Sequence, residues 1–343
     1  MGRLSFLRFF CDQWLAVPKL EKQDLTGQII LVVGANIGLG LEAAKHFASM
    51  GPGKLVLACR SIKKAEDAAK DIKKATGFDR TTAYAVDLSV FSSVNSFLDD
   101  FQKNEGRLDI LMYNAGVAYP HYQSTVDGFE ESLQVNDLSC ALVCIGLLPL
   151  MLKTSADTVS ASHRPRITVV SSGTHFWYKP HPEELSSPNY LLKLNDAEHC
   201  TPKVMADRYP ITKLINILFA RELAERAGVS KVVVDSVSPG WCYSALRRNV
   251  GVMQSIQMSI MDTLIGQSTE VGGRQIAWAA LAHRNCEHTI HGRYAQYMEV
   301  VEESDWALSK EGFAVQRRLW DETIDVLKQV SPGFSLIVDQ YLQ

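Results

Sequence analysis

Tyr209 and Lys213 lie four residues apart in a strongly helical stretch that runs from about residue 205 to 227. This spacing places both side chains on one face of a helix. A phenol has a pKa of about 10, too high for ready proton exchange at neutral pH, and a nearby ammonium group lowers that pKa. The pair therefore indicates acid–base chemistry at an oxygen, with Tyr209 as general acid in carbonyl reduction or general base in alcohol oxidation.

Other polar residues could support the same chemistry. Ser171 and Ser172 stand at the end of a predicted buried strand, where a serine hydroxyl can hydrogen-bond a substrate carbonyl and stabilise a developing oxyanion. Asn136 lies inside a long predicted helix, where asparagine is a poor helix-former. It is either a functional residue or a hydrogen-bonded polar residue of the core.

A glycine-rich turn follows the first predicted strand. Gly34-Ala-Asn-Ile-Gly38-Leu-Gly40 opens a predicted helix over residues 38–50. Glycines allow the backbone to turn sharply and approach a phosphate, and the start of the helix offers free N–H groups and a positive dipole end. The pattern predicts a dinucleotide site rather than a purely structural turn.

The residues after the second and third strands indicate which dinucleotide binds. Cys59 cannot accept hydrogen bonds from a ribose 2′-OH as an acidic residue would, whereas Arg60 can pair with a 2′-phosphate. Ser61 and Lys64 are candidate helpers, and Arg60 as a solvated surface residue is the alternative. Asp87 is expected to bond the adenine amino group or, alternatively, to cap the next helix. These residues favour NADP(H).

The fold that must position these groups follows from alternating patterns. The predicted strands cover residues 28–33, 54–58, 81–86, 108–113, 166–171, 231–237 and 293–297. The predicted helices cover residues 38–50, 61–76, 90–103, 126–152, 205–227 and 305–330. The alternation predicts an α/β fold, a doubly wound, parallel, seven-stranded Rossmann sheet in a single domain over residues 21–343.

Two segments interrupt this alternation and are expected to be substrate lids: residues 173–208 and residues 244–267. The first contains the aromatic run His175 to Tyr178, and the second is rich in methionine, with Met253, Met258 and Met261 at helical spacing. Either segment could line a pocket for a lipophilic substrate, although a buried helix face explains the methionines equally well.

Taken in order, these motifs resemble the short-chain dehydrogenase/reductase family of the Tyr-Lys catalytic type. The matching motifs are Gly34–Gly40, Asp87-Leu88, Asn114-Ala115-Gly116, Asn136, Ser171-Ser172, Tyr209-x-x-x-Lys213 and Ser238-Pro239-Gly240. The resemblance implies that Asn136, Ser172, Tyr209 and Lys213 are the catalytic residues, with Asn136 holding a water that links Lys213 to solvent. Ser172 is preferred as the second serine of the Val-Ser-Ser pattern, and Ser171 stays open.

The resemblance also implies a set of cofactor contacts. They are Gly34, Asn36, Ile37, Gly38, Leu39, Gly40, Arg60, Lys64, Asp87, Leu88, Asn114, Ala115, Gly116, Tyr209, Lys213, Pro239, Gly240, Cys242 and Ser244. Val33 departs from the family, which usually has a threonine here whose hydroxyl ties the turn to the Asn-Ala-Gly segment. The long separation of Ser172 from Tyr209 resembles retinol-dehydrogenase-like enzymes and fungal reductases of secondary metabolism.

The expected function is therefore NADP(H)-dependent hydride transfer between nicotinamide and a lipophilic ketone, aldehyde or alcohol, in the reductive direction. One alternative is a membrane-associated dehydrogenase of the retinoid or sterol type. Another is a non-catalytic scaffold or regulatory protein that keeps the fold. Family members often pair through their two long helices, so a homodimer is a further expectation.

Composition excludes several other classes of protein. With 35 Lys and Arg against 38 Asp and Glu, the net charge of −3 argues against nucleic-acid binding driven by bulk charge. The seven cysteines are scattered without a CxxC pair, which favours a reducing, cytoplasmic compartment. His283, Cys286, His288 and His291 lack a repeated ligand spacing, so no metal site is predicted.

Residues 1–20 are predicted to form an amphipathic helix that precedes the domain. Arg8 and Asp12 interrupt the apolar core that a signal peptide needs. The helix is expected to pack on the protein's own body or on a second subunit. The alternative is peripheral membrane contact through residues 1–17, because arginine with phenylalanine and tryptophan is typical of interfacial helices.

Overall fold

The computed structural model describes residues 6–157, 164–243, 246, 259 and 261–342. At its centre is one sheet, whose strands are β1 (Ile29–Val33), β2 (Lys54–Cys59), β3 (Thr81–Ala85), β4 (Ile110–Tyr113), β5 (Arg166–Val170), β6 (Val233–Ser238), β7 (Tyr294–Gln296) and β8 (Glu299–Val301). The strand order is β3-β2-β1-β4-β5-β6-β7-β8, and all neighbours are parallel except β7 and β8. The predicted doubly wound Rossmann fold is confirmed.

The sheet has one strand more than the seven that the sequence predicts. β8 returns antiparallel to β7 through Tyr297 and Met298, whose φ angles are +55° and +61°. Two successive positive φ values are typical of a type I′ hairpin turn, which usually carries Asn-Gly or Asp-Gly. Because neither residue is of that kind, the sequence contains no local signal for this hairpin.

The helices follow the predicted order with several additions. They are α1 (Phe6–Gln13), α2 (Gly38–Ala48), α3 (Ile62–Thr76), α4 (Phe91–Asn104), α5 (Glu131–Leu133), α6 (Ser139–Gly146), α7 (Leu148–Asp157), α8 (Pro182–Ser186), α9 (Tyr190–Asn195), α10 (Pro202–Ala206), α11 (Arg208–Ala227), α12 (Thr269–Leu281), α13 (Lys310–Val330) and α14 (Phe334–Tyr341). A π-helical turn, Gln134–Leu138, joins α5 to α6. α8, α9, α12 and α14 had no counterpart among the predicted helices.

Helices cover both faces of the sheet. On one face, Ile30 and Val32 of β1 belong to a buried cluster with α2, α3 and α12. On the other, Leu31 and Val33 belong to a cluster with α4, α6, α7, α11 and α13. Because alternate residues of each strand are buried on opposite faces, the amino-acid sequences of these strands are continuous apolar runs.

The long helical segment Glu131–Asp157 lies in the core. It is long and apolar enough to cross a membrane, but 89% of its most apolar window is buried inside the protein. α11 is similarly enclosed, since Glu225 is the one exposed residue between 208 and 227. α13 contributes to this cover by stacking Trp320 on Phe219 at 5.9 Å between ring centroids.

The predicted insertion at residues 173–208 is a folded part of the domain. It consists of a 3-10 turn followed by α8, α9 and α10. The buried carboxylate of Glu184 accepts a hydrogen bond from the Tyr178 hydroxyl at 2.6 Å. At the end of the insertion, Arg208 pairs with Glu130 at 3.3 Å, and both side chains are fully buried. Most of the second insertion, including Ser244, Met253 and Met258, lies outside the described residues.

α1 lies against the body of the protein. Phe9 is 4% exposed, and its ring meets the Trp177 ring edge-on, with 4.9 Å between centroids. Gln13, at the end of α1, is also buried. A helix therefore forms at Phe6–Gln13, within the predicted residues 1–20, and its Phe9 makes an intramolecular contact.

Candidate active site

A cavity of about 660 Å³ opens at the carboxyl ends of the central strands, where open α/β sheets bind their ligands. Most of the residues predicted to bind cofactor or substrate line it: Gly34, Asn36, Ile37, Gly38, Leu39, Arg60, Lys64, Asp87, Leu88, Asn114, Ala115, Gly116, Ser172, Tyr209, Lys213, Pro239, Gly240 and Cys242. Gly40 and Asn136 lie behind its wall, and Ser244 lies outside the described residues. The cavity joins the predicted phosphate turn to the predicted catalytic residues.

The glycine turn is packed tightly against the segment that follows β4. Gly34 has a φ of +82°, and a Cβ placed on it would lie 2.7 Å from the Cα of Ala115. A Cβ on Gly40 would clash with the Gly34 carbonyl. The Asn114 amide donates to that same carbonyl at 2.8 Å. The Asn114 side chain thus connects the glycine turn to the segment that follows β4. Val33 has no hydroxyl with which to make this connection.

The start of α2 offers main-chain donors to an anion. Its N-cap residue, Ile37, supplies no side-chain hydrogen bond to the first N–H groups of the helix. Ile37 and the first helical residue, Gly38, both line the cavity. The arrangement is that of a phosphate site at a helix N-terminus.

Arg60 is an exposed residue at the rim of the cavity, one residue after β2. Its neighbour Cys59 is buried and donates from Sγ to the carbonyl of Ser61 at 3.2 Å. Asp87, two residues after β3, accepts from the main-chain N–H and the hydroxyl of Ser89 at 3.0 and 2.6 Å. This contact lies in the loop before α4 and does not cap that helix, whose N-cap residue is Val90. Asp87 also lines the cavity.

Tyr209 and Lys213 lie in the first turns of α11, and both line the cavity. The Lys213 ammonium is 5.8 Å from the centroid of the Tyr209 ring. It donates to the Val170 carbonyl and to Oδ1 of Asn216, both at 2.9 Å. Burial lowers the pKa of Lys213 from 10.5 to about 8, and the nearby Asp137 carboxyl opposes that shift. The lysine can therefore change its charge near physiological pH.

Asn216 is a buried residue that the sequence analysis missed. Its amide nitrogen donates to the carbonyl of Asn136 at 2.8 Å and to Oδ1 of Asp137 at 3.0 Å. Burial raises the pKa of the Asp137 carboxyl well above its usual value. Asn216 therefore connects the Lys213 ammonium directly to the π-helical turn. Its position one turn after Lys213 on the same helix was the available signal.

Asn136 braces the wall of the cavity with its side chain. Its Oδ1 accepts from the Val117 main-chain N–H at 2.8 Å, and its Nδ2 donates to the Val117 carbonyl at 2.9 Å. The same Nδ2 donates to the hydroxyl of Thr212 at 3.0 Å. The residue thus joins the segment after β4 to α11.

The two serines at the end of β5 have different environments. The hydroxyl of Ser171 is buried and donates to the main-chain carbonyl of Lys213 at 2.6 Å. The Ser172 oxygen accepts from the main-chain N–H of Thr174 at 3.3 Å, which leaves its proton for another acceptor. Both residues line the cavity, but Ser172 is the one whose hydroxyl can still donate to a ligand.

The predicted lid segments contribute only part of the cavity wall. From residues 173–208, the lining residues are Thr174, Met205 and Ala206. Trp177 instead borders a smaller cavity that it shares with Phe9 and Ser172. Trp241, which the sequence analysis did not single out, borders both cavities.

Sequence comparisons identify close relatives of this chain. The profile of the short chain dehydrogenases matches residues 28–177. The short-chain dehydrogenase anuD of Penicillium roqueforti is 31% identical, over 98% of this chain and 86% of that protein. The short chain dehydrogenase sol3 of Alternaria solani is 34% identical, over 81% of this chain and 94% of that protein.

Solved structures have the same fold at lower identity. L-sorbose reductase from Gluconobacter frateurii, complexed with NADPH and L-sorbose, superposes with a TM-score of 0.58 at 19% identity, over 80% of this chain and 95% of that one. A 3-ketoacyl-(acyl-carrier-protein) reductase from Brucella melitensis, complexed with NADH, gives 0.59 at 21% identity, over 80% and 97%. These two comparisons show that the chain shares the fold of these enzymes.

Proposed function

The chain belongs to the short-chain dehydrogenase/reductase family, and on that premise we propose that it is an NADP(H)-dependent reductase of lipophilic ketones or aldehydes. The observation that carries the proposal is the single cavity that joins Arg60 and the glycine turn to Ser172 and Tyr209. The fungal relatives support a place in secondary metabolism. Binding of NADPH to the purified protein, followed by fluorescence, tests the proposal first.

The residues at the cavity fit a dinucleotide. Only glycine fits at position 34, because the turn passes so close to Ala115. The uncapped N-terminus of α2 suits a pyrophosphate, and the guanidinium of Arg60 suits a 2′-phosphate. When bound, the nicotinamide would supply or accept the hydride. Pro239 and Gly240 are the candidates for its support on the catalytic side.

Each catalytic residue has a definite task in this proposal. Ser172 donates a hydrogen bond to the substrate oxygen and stabilises the charge that develops there. Tyr209 gives that oxygen its proton during reduction and takes it back during oxidation. The Lys213 ammonium, at 5.8 Å from the phenol ring, favours the phenolate that remains after proton transfer. Asn136 and Asn216 hold the surrounding backbone and Lys213 in place.

Changing the charge of Arg60 is expected to alter cofactor preference. In Arg60→Glu, the Kd of NADPH should rise about 10- to 100-fold, since a hydrogen bond to a charged group contributes about 1.5–3 kcal/mol. The Kd of NADH should change by no more than about 3-fold, because it has no 2′-phosphate to meet the new carboxylate. Fluorescence titration of both cofactors measures the two constants.

Lys63→Glu is the matched control for this variant. Lys63 is exposed near Arg60 but does not line the cavity, so the same change of charge should leave the NADPH Kd within about 3-fold. If both variants weaken NADPH equally, the preference comes from the overall field and not from Arg60. If wild-type protein prefers NADH, the assignment of Arg60 is wrong.

Removing the Asn216 side chain is expected to disturb Lys213. Asn216→Leu deletes one of the two acceptors of the ammonium, so the pKa of Lys213 should fall below about 8. We expect kcat to drop about 10- to 100-fold and the basic limb of the pH–rate profile to move to lower pH. Steady-state kinetics between pH 6 and 10 measure both effects.

Asn95→Leu is the matched control, because the Asn95 amide also donates to a main-chain carbonyl, that of Val330, but far from the cavity. This variant should lose stability without changing the shape of the pH–rate profile. An unmoved profile in Asn216→Leu would show that Asn216 has only a structural role.

A further inference from the structure

Two tryptophans and α1 lie beside the catalytic serine, outside the set of residues that the proposed mechanism uses. Trp241 directly follows Pro239-Gly240 and lines the main cavity. Between α1 and the serine is a second, small cavity, bordered by Phe9, Ser172, Trp177 and Trp241 among others. α1 therefore covers the site on the side of Ser172.

The indole of Trp241 is held from two directions. The ring of Phe9 meets it edge-on, with 6.5 Å between centroids and an interplanar angle of 82°. Its Nε1 donates to the Asp262 carboxylate at 2.8 Å. Edge-to-face contact and a hydrogen bond together restrict the tilt of the ring. These two contacts hold the ring of Trp241, a residue that lines the cavity, in place.

The main chain of Trp241 is held as well, by residues distant in sequence. Its N–H donates to Oε1 of Gln13 at 3.2 Å. Its carbonyl accepts from the main-chain N–H of Gln267 at 2.9 Å. The Gln267 amide in turn donates to the Gln13 carbonyl at 3.1 Å. Gln13 is buried, and its Nε2 also donates to the Tyr297 hydroxyl at 2.6 Å.

From these contacts we propose that α1 is a built-in wall of the substrate site and that Trp241, braced by Phe9, selects substrates with a flat aromatic ring next to the reacting carbonyl. This inference rests on the proposed reductase function and adds a substrate class to it. A fixed indole gains by stacking on a planar ring, whereas a puckered saturated ring of similar size touches it at fewer atoms. The contact with Phe9 favours substrate binding, because an indole that was mobile in the free protein would lose conformational entropy when the substrate binds.

The test compares two ketones that differ in planarity, 2-acetylnaphthalene and 2-acetyldecalin. Calorimetry measures their Kd for the full-length protein saturated with NADP⁺, so no turnover is needed. We expect wild type to bind the naphthyl ketone about 3- to 10-fold more tightly than the decalin ketone, in line with the strength of aromatic stacking. Phe9→Ala and Trp241→Leu should each remove most of that preference.

Two further variants separate specificity from folding. Phe9→Leu keeps an apolar side chain in the wall and should retain part of the preference. Leu15→Ala changes an exposed residue just after α1 and should behave as wild type. The Kd of NADPH should stay within about 2-fold of wild type in Phe9→Ala, because Phe9 does not line the main cavity.

The outcomes distinguish this inference from the proposed function. Protein that binds NADPH but shows equal affinity for both ketones, or the same preference in wild type and Phe9→Ala, would overturn the inference alone. Protein that binds neither NADPH nor NADP⁺ would overturn the reductase proposal on which it rests.

Discussion

Tyr209→Phe is expected to lower kcat for ketone reduction by about 10³-fold, because proton transfer by a positioned side chain contributes about 10²- to 10⁴-fold. The variant keeps the ring beside the Lys213 ammonium and loses only the proton that the substrate oxygen needs. The Kd of NADPH should stay within about 5-fold of wild type, since one hydroxyl contact contributes about 1 kcal/mol or less. Steady-state kinetics and fluorescence titration measure the two quantities.

A second tyrosine of the cavity, Tyr119, provides the matched control for this variant. Tyr119 also lines the cavity, and its hydroxyl donates to the Glu131 carboxylate at 3.0 Å. Tyr119→Phe makes the same chemical change in the same site and should keep kcat within about 5-fold of wild type. Equal losses in the two variants would contradict the assignment of Tyr209 as the proton donor. Wild-type turnover in Tyr209→Phe would refute it outright.

Lys213→Met is expected to have two large effects, one on catalysis and one on the pH dependence of stability. Without the ammonium, the phenolate of Tyr209 loses its stabilising charge, so kcat/KM should fall about 10²- to 10³-fold. Wild-type kcat/KM should itself decline above about pH 8, where Lys213 loses its proton. The variant should lack this decline.

The second effect is on stability, and its sign follows from the pKa of Lys213. The folded protein holds this proton less tightly than the unfolded chain does, with a pKa of about 8 against 10.5. At neutral pH the buried charge therefore opposes folding. As the pH rises from about 8 to 10.5, wild type gains stability relative to Lys213→Met by about 1 kcal/mol per pH unit. Denaturant unfolding of both proteins at pH 7.5, 8.5 and 9.5 measures this gain.

Lys153→Met is the matched control, because Lys153 is exposed on α7. Its stability relative to wild type should not change with pH over the same range. A pH-independent difference between wild type and Lys213→Met would mean that Lys213 keeps its proton in the folded protein up to pH 9.5, so that burial does not lower its pKa.

The parts of the site that depend on local patterns could be predicted from the sequence. The glycine turn requires a strand, a helix and three glycines within a few residues, and all three elements form as predicted. Tyr209 and Lys213 share a helical face whatever the rest of the fold does. Parallel strands place their carboxyl ends along one edge, so Asp87, Asn114 and Ser172 reach the same cavity.

Contacts between distant segments were decided only by the tertiary structure. Nothing in the sequence near Ser171 indicates that its hydroxyl donates to the carbonyl of Lys213, 42 residues away. The contact between Asn216 and Asn136 spans 80 residues, and that between Gln13 and Trp241 spans 228. Periodicity and turn signals concern neighbours along the chain, whereas these contacts arise from the order in which strands and helices pack. The sequence by itself therefore determined the Rossmann sheet, the glycine turn and the Tyr-Lys pair, and tertiary packing decided which serine hydroxyl stays available, what holds Lys213, and that α1 covers the site.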